Sequence, residues 1–168
     1  KSLKDYVDYM SKAGVKLTLN NEKVASFEEF EIANFLKLKG IKYEYEKNYI
    51  INTSGYDKLG KWRRQYKPDF YLIDYDIYLE HFAINKKMES PSWMDPGYVE
   101  GMKWKRELHS INNTKLIETY SYQKTDGILL SELELKLKSN GVKFINQNPD
   151  YLIKTLNEKG QIIKLTNL

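Results

Sequence analysis

The sequence predicts a mixed α/β fold, with helices packed against a sheet. Three observations predict it. Apolar residues recur at helical spacing in segments closed by Gly or Asn, two β-rich runs flank a short turn at Tyr75, and the two patterns alternate along the chain. The 168 residues, 41% hydrophobic and 30% charged, suffice to bury one core and are too few for two full domains. The expected organisation is one globular domain, with an extension over 1–25, a core over 26–139 and a helical extension over 140–168.

Each element has its own signal. Leu3, Tyr6, Val7 and Met10 lie at helical spacing ahead of Gly14, and KLTLN after them reads as a strand. Ser26 with Glu29 three places later forms a capping box before Phe30, Ala33, Phe35, Leu36 and Leu38, a helix that Gly40 closes. Residues 43–51 alternate apolar and charged side chains as a strand does, and NTSGYDKLG then reads as a loop. DFYLID and DIYLEHFAI make a hairpin around Tyr75. Pro91 and Pro96 keep 90–97 irregular, Tyr98–Ile111 returns to helical periodicity, and Asn112-Asn113 stops it. LIETYSY is a strand, Leu129–Ser139 a helix ending near Gly141, VKFI a short strand, and Pro149 opens a last helix.

Composition excludes several kinds of chemistry. With no Cys there are no disulfides, thiolate metal sites or cysteine nucleophiles, and a reducing cytoplasm is the expected compartment. No apolar run approaches the ~18 residues a membrane span needs, and the first residues have no signal core, so no membrane partner is expected. There is no Gly-rich phosphate loop, dinucleotide fingerprint, paired-His zinc helix or serine elbow. Lys plus Arg number 27 against 23 Asp plus Glu, a net charge of +4, too small to point to nucleic acid by itself.

Charge placement says more. Asp69 follows Pro68, Glu80 lies eleven residues later, and a hairpin around Tyr75 brings both acids to its end away from the turn. Two carboxylates and a main-chain carbonyl suffice for Mg²⁺ or Mn²⁺, which takes oxygen ligands and keeps several waters. Any one acid is more simply solvated or salt-bridged; the pair is the signal. The apolar run around Glu80 suits a strand buried on both faces, where a carboxylate needs a partner. His81 faces the opposite side, and a core or supporting role is simpler for it than metal ligation. Lys105 shares an inward stripe with Tyr98, Gly101, Met102, Leu108 and His109, so it either snorkels or meets an anion. Glu29 is explained by its cap, with a metal role as the alternative, and Glu118 is either buried beside the same centre or turned to solvent. Lys58, Lys61, Arg63, Arg64 and Lys67 form an acid-free run with Trp62 and Tyr66 interleaved, suited to phosphates and exposed bases or to an ordinary basic surface.

The order helix, three strands, helix, strand, with Pro68-Asp69 leading to Glu80, resembles the restriction-endonuclease-like PD-(D/E)XK nuclease superfamily. SFEEFEIANFL, GIKYEYE, RQYKPDFYLIDYDIYLEHFAI, YVEGMKWKRELH and TKLIETYSY are similar to the nuclease-like domain of certain bacterial UvrD-type superfamily I helicases, relatives of helicase IV included. The resemblance implies an αβββαβ core with a mixed sheet flanked by helices and extra helices at both ends. It also implies DNA hydrolysis with Mg²⁺ or Mn²⁺ held by Asp69, Glu80 and the carbonyl of His81, with Glu29 assisting and a lysine at the reacting phosphate. The usual lysine position is Phe82, so the inward stripe nominates Lys105. DNA is the implied partner, gripped by Lys58, Lys61, Trp62, Arg63, Arg64 and Lys67, with RNA left open. The absent initial Met fits a domain of a longer helicase, whose other domains are further partners and hold the ATP site. Two alternatives stand beside this reading: a catalytically inactive nuclease fold that binds DNA or docks to the helicase, and a protein-interaction domain without nucleic acid.

Overall fold

The computed structural model describes residues 3–56 and 60–158. The chain runs α1 (Leu3–Lys12), α2 (Phe27–Leu38), β1 (Tyr43–Tyr45), β2 (Gly55–Tyr56), β3 (Trp62–Arg63), β4 (Phe70–Leu72) and β5 (Ile77–Phe82). It continues through α3 (Tyr98–Ile111), β6 (Lys115–Tyr120), α4 (Ser121–Thr125), α5 (Leu129–Ser139) and α6 (Pro149–Glu158). Two compact units emerge, one drawn from the stretches before Tyr43 and after Asn140, the other spanning Tyr43–Asn140. Among the described residues no helix is long and apolar enough to cross a membrane.

In the first unit, α1 buries Tyr6 and Met10 and contacts α6. Ser26 caps α2 by accepting from the Glu29 N–H at 3.0 Å, while the Glu29 carboxylate accepts from the Ala25 N–H at 3.1 Å. The cap satisfies donors that the first turn leaves open. Two expected strands are absent here. KLTLN forms a single bridge, Leu17 to Lys23, because Thr18 folds the chain into a turn by accepting from the Asn20 and Glu22 N–H groups. VKFI is spent on the end of α2, where the Ile145 and Gln147 N–H groups donate to the Lys39 and Leu38 carbonyls at 2.8 and 2.7 Å. Gly40 permits this approach: its φ is +69°, and a Cβ there would lie 2.6 Å from the Ile145 carbonyl oxygen.

The second unit is a mixed sheet in the order β1-β4-β5-β6, antiparallel except for the parallel pair β5 and β6, which α3 connects. A parallel pair needs such a crossover. The expected hairpin is present, with Phe70 opposite Leu79 and Leu72 opposite Ile77, and Asp76 at φ +52° closing its turn. Every residue of β5 is buried, as the apolar residues on either side of Glu80 and His81 predict. Phe70, Leu72, Ile77 and Leu79 are fully enclosed, each side chain contributing about 1.5–3 kcal/mol of burial.

Three boundaries differ from expectation. The strand expected over 43–51 stops at Tyr45, because Glu46 adopts φ +50° while its N–H donates to the Asp69 carbonyl at 3.0 Å. The expected loop contains β2, which pairs with β3 in the basic segment that follows. β6 ends at Tyr120, and Ser121 and Tyr122 open α4 instead, since the Gln123 side chain accepts from the Tyr120 N–H at 2.9 Å.

Candidate functional site

The site lies in the second unit, at the hairpin end away from the turn. The β4–β5 register, continued one step, sets Asp69 opposite Glu80. Asp69 accepts from the His81 N–H at 2.6 Å, which ties the segment entering β4 to β5. Glu80 is 1% exposed, yet both its oxygens are bonded: Oε1 accepts from the Tyr66 hydroxyl and Oε2 from the Lys105 Nζ, each at 2.7 Å.

Lys105 arrives from α3, whose inward face also buries Met102 and His109. Its ammonium lies 5.3 Å from the ring centres of both Tyr66 and Phe82. Phe82 therefore forms one wall of the slot that the Lys105 ammonium fills. Burial pushes the Glu80 carboxyl above the usual carboxylate range, against the opposing pull of Lys105 and Tyr66. Burial and the neighbouring Glu80 push the Tyr66 hydroxyl far up, so it remains a proton donor.

Behind Tyr66 runs a buried polar chain. His109 Nε2 is 3.2 Å from the Tyr66 hydroxyl, His109 Nδ1 is 2.7 Å from Thr114 Oγ1, and Thr114 Oγ1 is 2.7 Å from the Tyr49 hydroxyl. Burial, with the Lys105 charge nearby, lowers the His109 pKa to about 4, so the ring is neutral near pH 7. Because Tyr66 gives its proton to Glu80, Nε2 of His109 must carry the other proton and Nδ1 must accept from Thr114. Tyr49, Tyr66 and Tyr78 pack into one cluster around this chain, with Trp104 against it.

Glu118, left open by the sequence, is the register partner of Glu80 on β6. Arg106 grips it through Nε and Nη2 at 2.7 Å each, and the Tyr120 hydroxyl donates at 2.6 Å. Burial raises its pKa, but the hydrogen bonds from Arg106 and Tyr120 outweigh that and hold it below the usual range. The His81 ring bonds Thr119 Oγ1 at 2.8 Å and lies 3.4 Å from Ser121 Oγ, a buried supporting position. Glu29 belongs to the first unit and its carboxylate is engaged at the cap of α2.

Within the basic segment, Trp62 and Arg63 form β3. Lys58 lies outside the described residues. Lys61, Trp62, Arg63, Arg64 and Lys67 are exposed, and Trp62 packs on Tyr56 at 5.1 Å between ring centres. Tyr66 does not join them as a stacking face, because it is 6% exposed and committed to Glu80. A cavity of about 530 Å³ is lined by Arg63, Arg64, Gln65, Tyr66, Lys67 and Trp104, with the Arg63 guanidinium 5.7 Å above the Trp104 ring.

Asp69 and Glu80 fit a hard divalent cation in kind, since paired carboxylates are the oxygen donors such ions take. A carboxylate as buried as Glu80 also requires positive charge, which Lys105 supplies. Among the described residues no group of three or more His, Asp or Glu side chains gathers as a metal cluster. Sequence reasoning missed Tyr66 as a Glu80 partner and the chain through His109, Thr114 and Tyr49. Helical spacing from Lys105 was a signal for His109; nothing local marks Tyr66. Compared with known proteins, the chain matches no family model, no curated protein and no solved structure.

Proposed function

We propose that the second unit is a metal-dependent nuclease centre of the restriction-endonuclease-like type, hydrolysing DNA phosphodiesters. One observation carries this reading. An ammonium from α3 lies 2.7 Å from a buried carboxylate on β5, and it belongs to Lys105, the residue that the inward stripe of the helix nominates. Asp69 stands across the hairpin, and the mixed strand order adds support.

In this reading Asp69, Glu80 and the His81 carbonyl would hold Mg²⁺ or Mn²⁺, which would polarise the phosphate and acidify an attacking water. Lys105 supplies fixed positive charge where the phosphorane would gain negative charge, in a slot walled by Tyr66 and Phe82. Tyr66 fixes the orientation of Glu80, and neutral His109 keeps Tyr66 pointed as a donor. The basic edge neutralises backbone phosphates, giving salt-sensitive binding with little sequence preference. DNA and the helicase domains of a longer parent chain are the partners implied.

A second reading has its own observation: both Glu80 oxygens already have donors, and Phe82 stands at the usual lysine position. A nuclease fold of that kind would bind DNA without cutting it. Labelled single-stranded, duplex and branched DNA incubated with Mg²⁺ or Mn²⁺ separates the two. Cutting that falls about 100-fold or more in Asp69→Asn and Lys105→Met supports hydrolysis. Cutting that survives Asp69→Asn rejects the centre, whereas binding with no cutting of any strand supports the second reading. Glu29→Gln in the same assay tests the third acid that the resemblance implies.

A further inference from the structure

The cavity beside the Glu80 pair has a lining of one chemical character. Its lining residues are Arg63, Arg64, Gln65, Tyr66, Lys67 and Trp104, with no acid among them. Its one amide is already committed: Gln65 Nε2 donates to the Tyr49 and Ile51 carbonyls at 3.1 and 3.0 Å, and Oε1 accepts from the Thr53 N–H at 2.8 Å. The Tyr66 hydroxyl is likewise given to Glu80. The lining thus combines the Trp104 ring with three cationic side chains, and its side-chain amide and hydroxyl are engaged within the protein rather than set to read the edge of a base.

We infer that this cavity receives one unpaired base of single-stranded DNA, stacked on Trp104, with the adjoining phosphates along Arg63, Arg64 and Lys67. The inference rests on the nuclease reading and names its substrate class. The volume, about 530 Å³, lies within the range of small-molecule pockets. A base inside a duplex is stacked and paired and must be extruded before it can enter such a site, whereas a single strand offers bases freely. Arg63 covers the Trp104 ring at 5.7 Å, but an Arg–aromatic contact at an exposed edge is weaker than a base stack. The base displaces the guanidinium, which then turns to a phosphate. Tyr66 lines the cavity and its hydroxyl donates to Glu80, so the strand is delivered beside the carboxylate. On the neighbouring hairpin, Tyr56 and Trp62 form an exposed ring pair for a further base.

The test is fluorescence anisotropy with the whole chain in EDTA, where binding is read without cutting. The probes are a labelled oligothymidylate of about twelve nucleotides, an abasic strand of the same length and charge, and a hairpin duplex. Expected is about tenfold tighter binding of the oligothymidylate than of either other probe. Trp104→Leu removes that advantage, Trp104→Phe keeps it, and neither changes the salt dependence, which Arg63→Gln with Arg64→Gln reduces. Equal affinity of the abasic strand and the oligothymidylate in the unsubstituted chain overturns the inference, as does preference for duplex or no binding at all. The abasic comparison needs no variant to fold. Cutting is then measured with Mg²⁺: a base preference without cutting leaves the inference standing and removes the nuclease reading. Cutting that ignores the missing bases does the reverse.

Discussion

Two ion pairs stand side by side in the second unit. Glu80 and Glu118 are register partners on parallel strands, and consecutive residues of α3 meet them, Lys105 at Glu80 and Arg106 at Glu118. Each carboxylate also takes a tyrosine hydroxyl, from Tyr66 and Tyr120 respectively. Even so, burial pushes the Glu80 pKa up while the Glu118 pKa is held down. The acids differ in exposure, 2% against 14% of the side chain, and in the shape of their cation. Arg106 is a planar fork that satisfies both oxygens of Glu118, whereas Lys105 reaches one oxygen of Glu80 as a compact charge. The Arg106 pair is built to stay closed. The Lys105 pair carries unrelieved desolvation, the condition under which a carboxylate gains most from additional positive charge.

Four measurements break or sharpen this contrast. Lys105→Met leaves a buried carboxylate with one neutral donor and should cost about 3–5 kcal/mol in denaturant unfolding, most of it recovered when Glu80→Gln is added. A loss below about 1 kcal/mol would show that Glu80 neutralises cheaply and would erase the contrast. Tyr66→Phe removes the hydrogen-bond partner of Glu80 Oε1 and of His109 Nε2, and should cost about 1–3 kcal/mol. Arg106→Met should cost only about 1–2 kcal/mol, because Glu118 reaches water and keeps Tyr120. A loss as large as that of Lys105→Met would make the two pairs equivalent.

The fourth measurement concerns pH. The folded His109 pKa of about 4 lies below the ordinary 6.5, so between these values the unfolded chain binds a proton that the folded chain refuses. Stability contributed by neutral His109 is therefore complete above pH 6.5 and is lost as pH falls toward 4. His109→Gln should flatten the stability–pH curve in that window, measured by thermal unfolding. An unchanged slope would place His109 outside the buried chain behind Tyr66.

The site was legible in the sequence where a local pattern forced it. Lys105 lies on the inward stripe of α3 by helical period alone, and Asp69 meets Glu80 because hairpin register follows from turn position. Tyr66 was read as one of the aromatics between cations, because neighbouring charges suggest a surface and its partner on β5 is fourteen residues away. Glu118 was left open because strand alternation selects a face without saying what covers it. Phe82 stands where the resemblance puts a lysine, and in the structure its ring walls the ammonium slot.

Elements with a local start or stop signal were set by the sequence alone: Ser26 capping α2, the Asp74 to Asp76 turn, and the end of α5 ahead of Gly141. In these, each residue's preference concerns its own backbone and its neighbours within a turn. Tertiary structure decided where β1 stops, through the Glu46 N–H on the Asp69 carbonyl, and which donors Glu80 finds. Those outcomes depend on hydrogen bonds and burial shared between residues far apart in the chain, and local spacing carries no record of them.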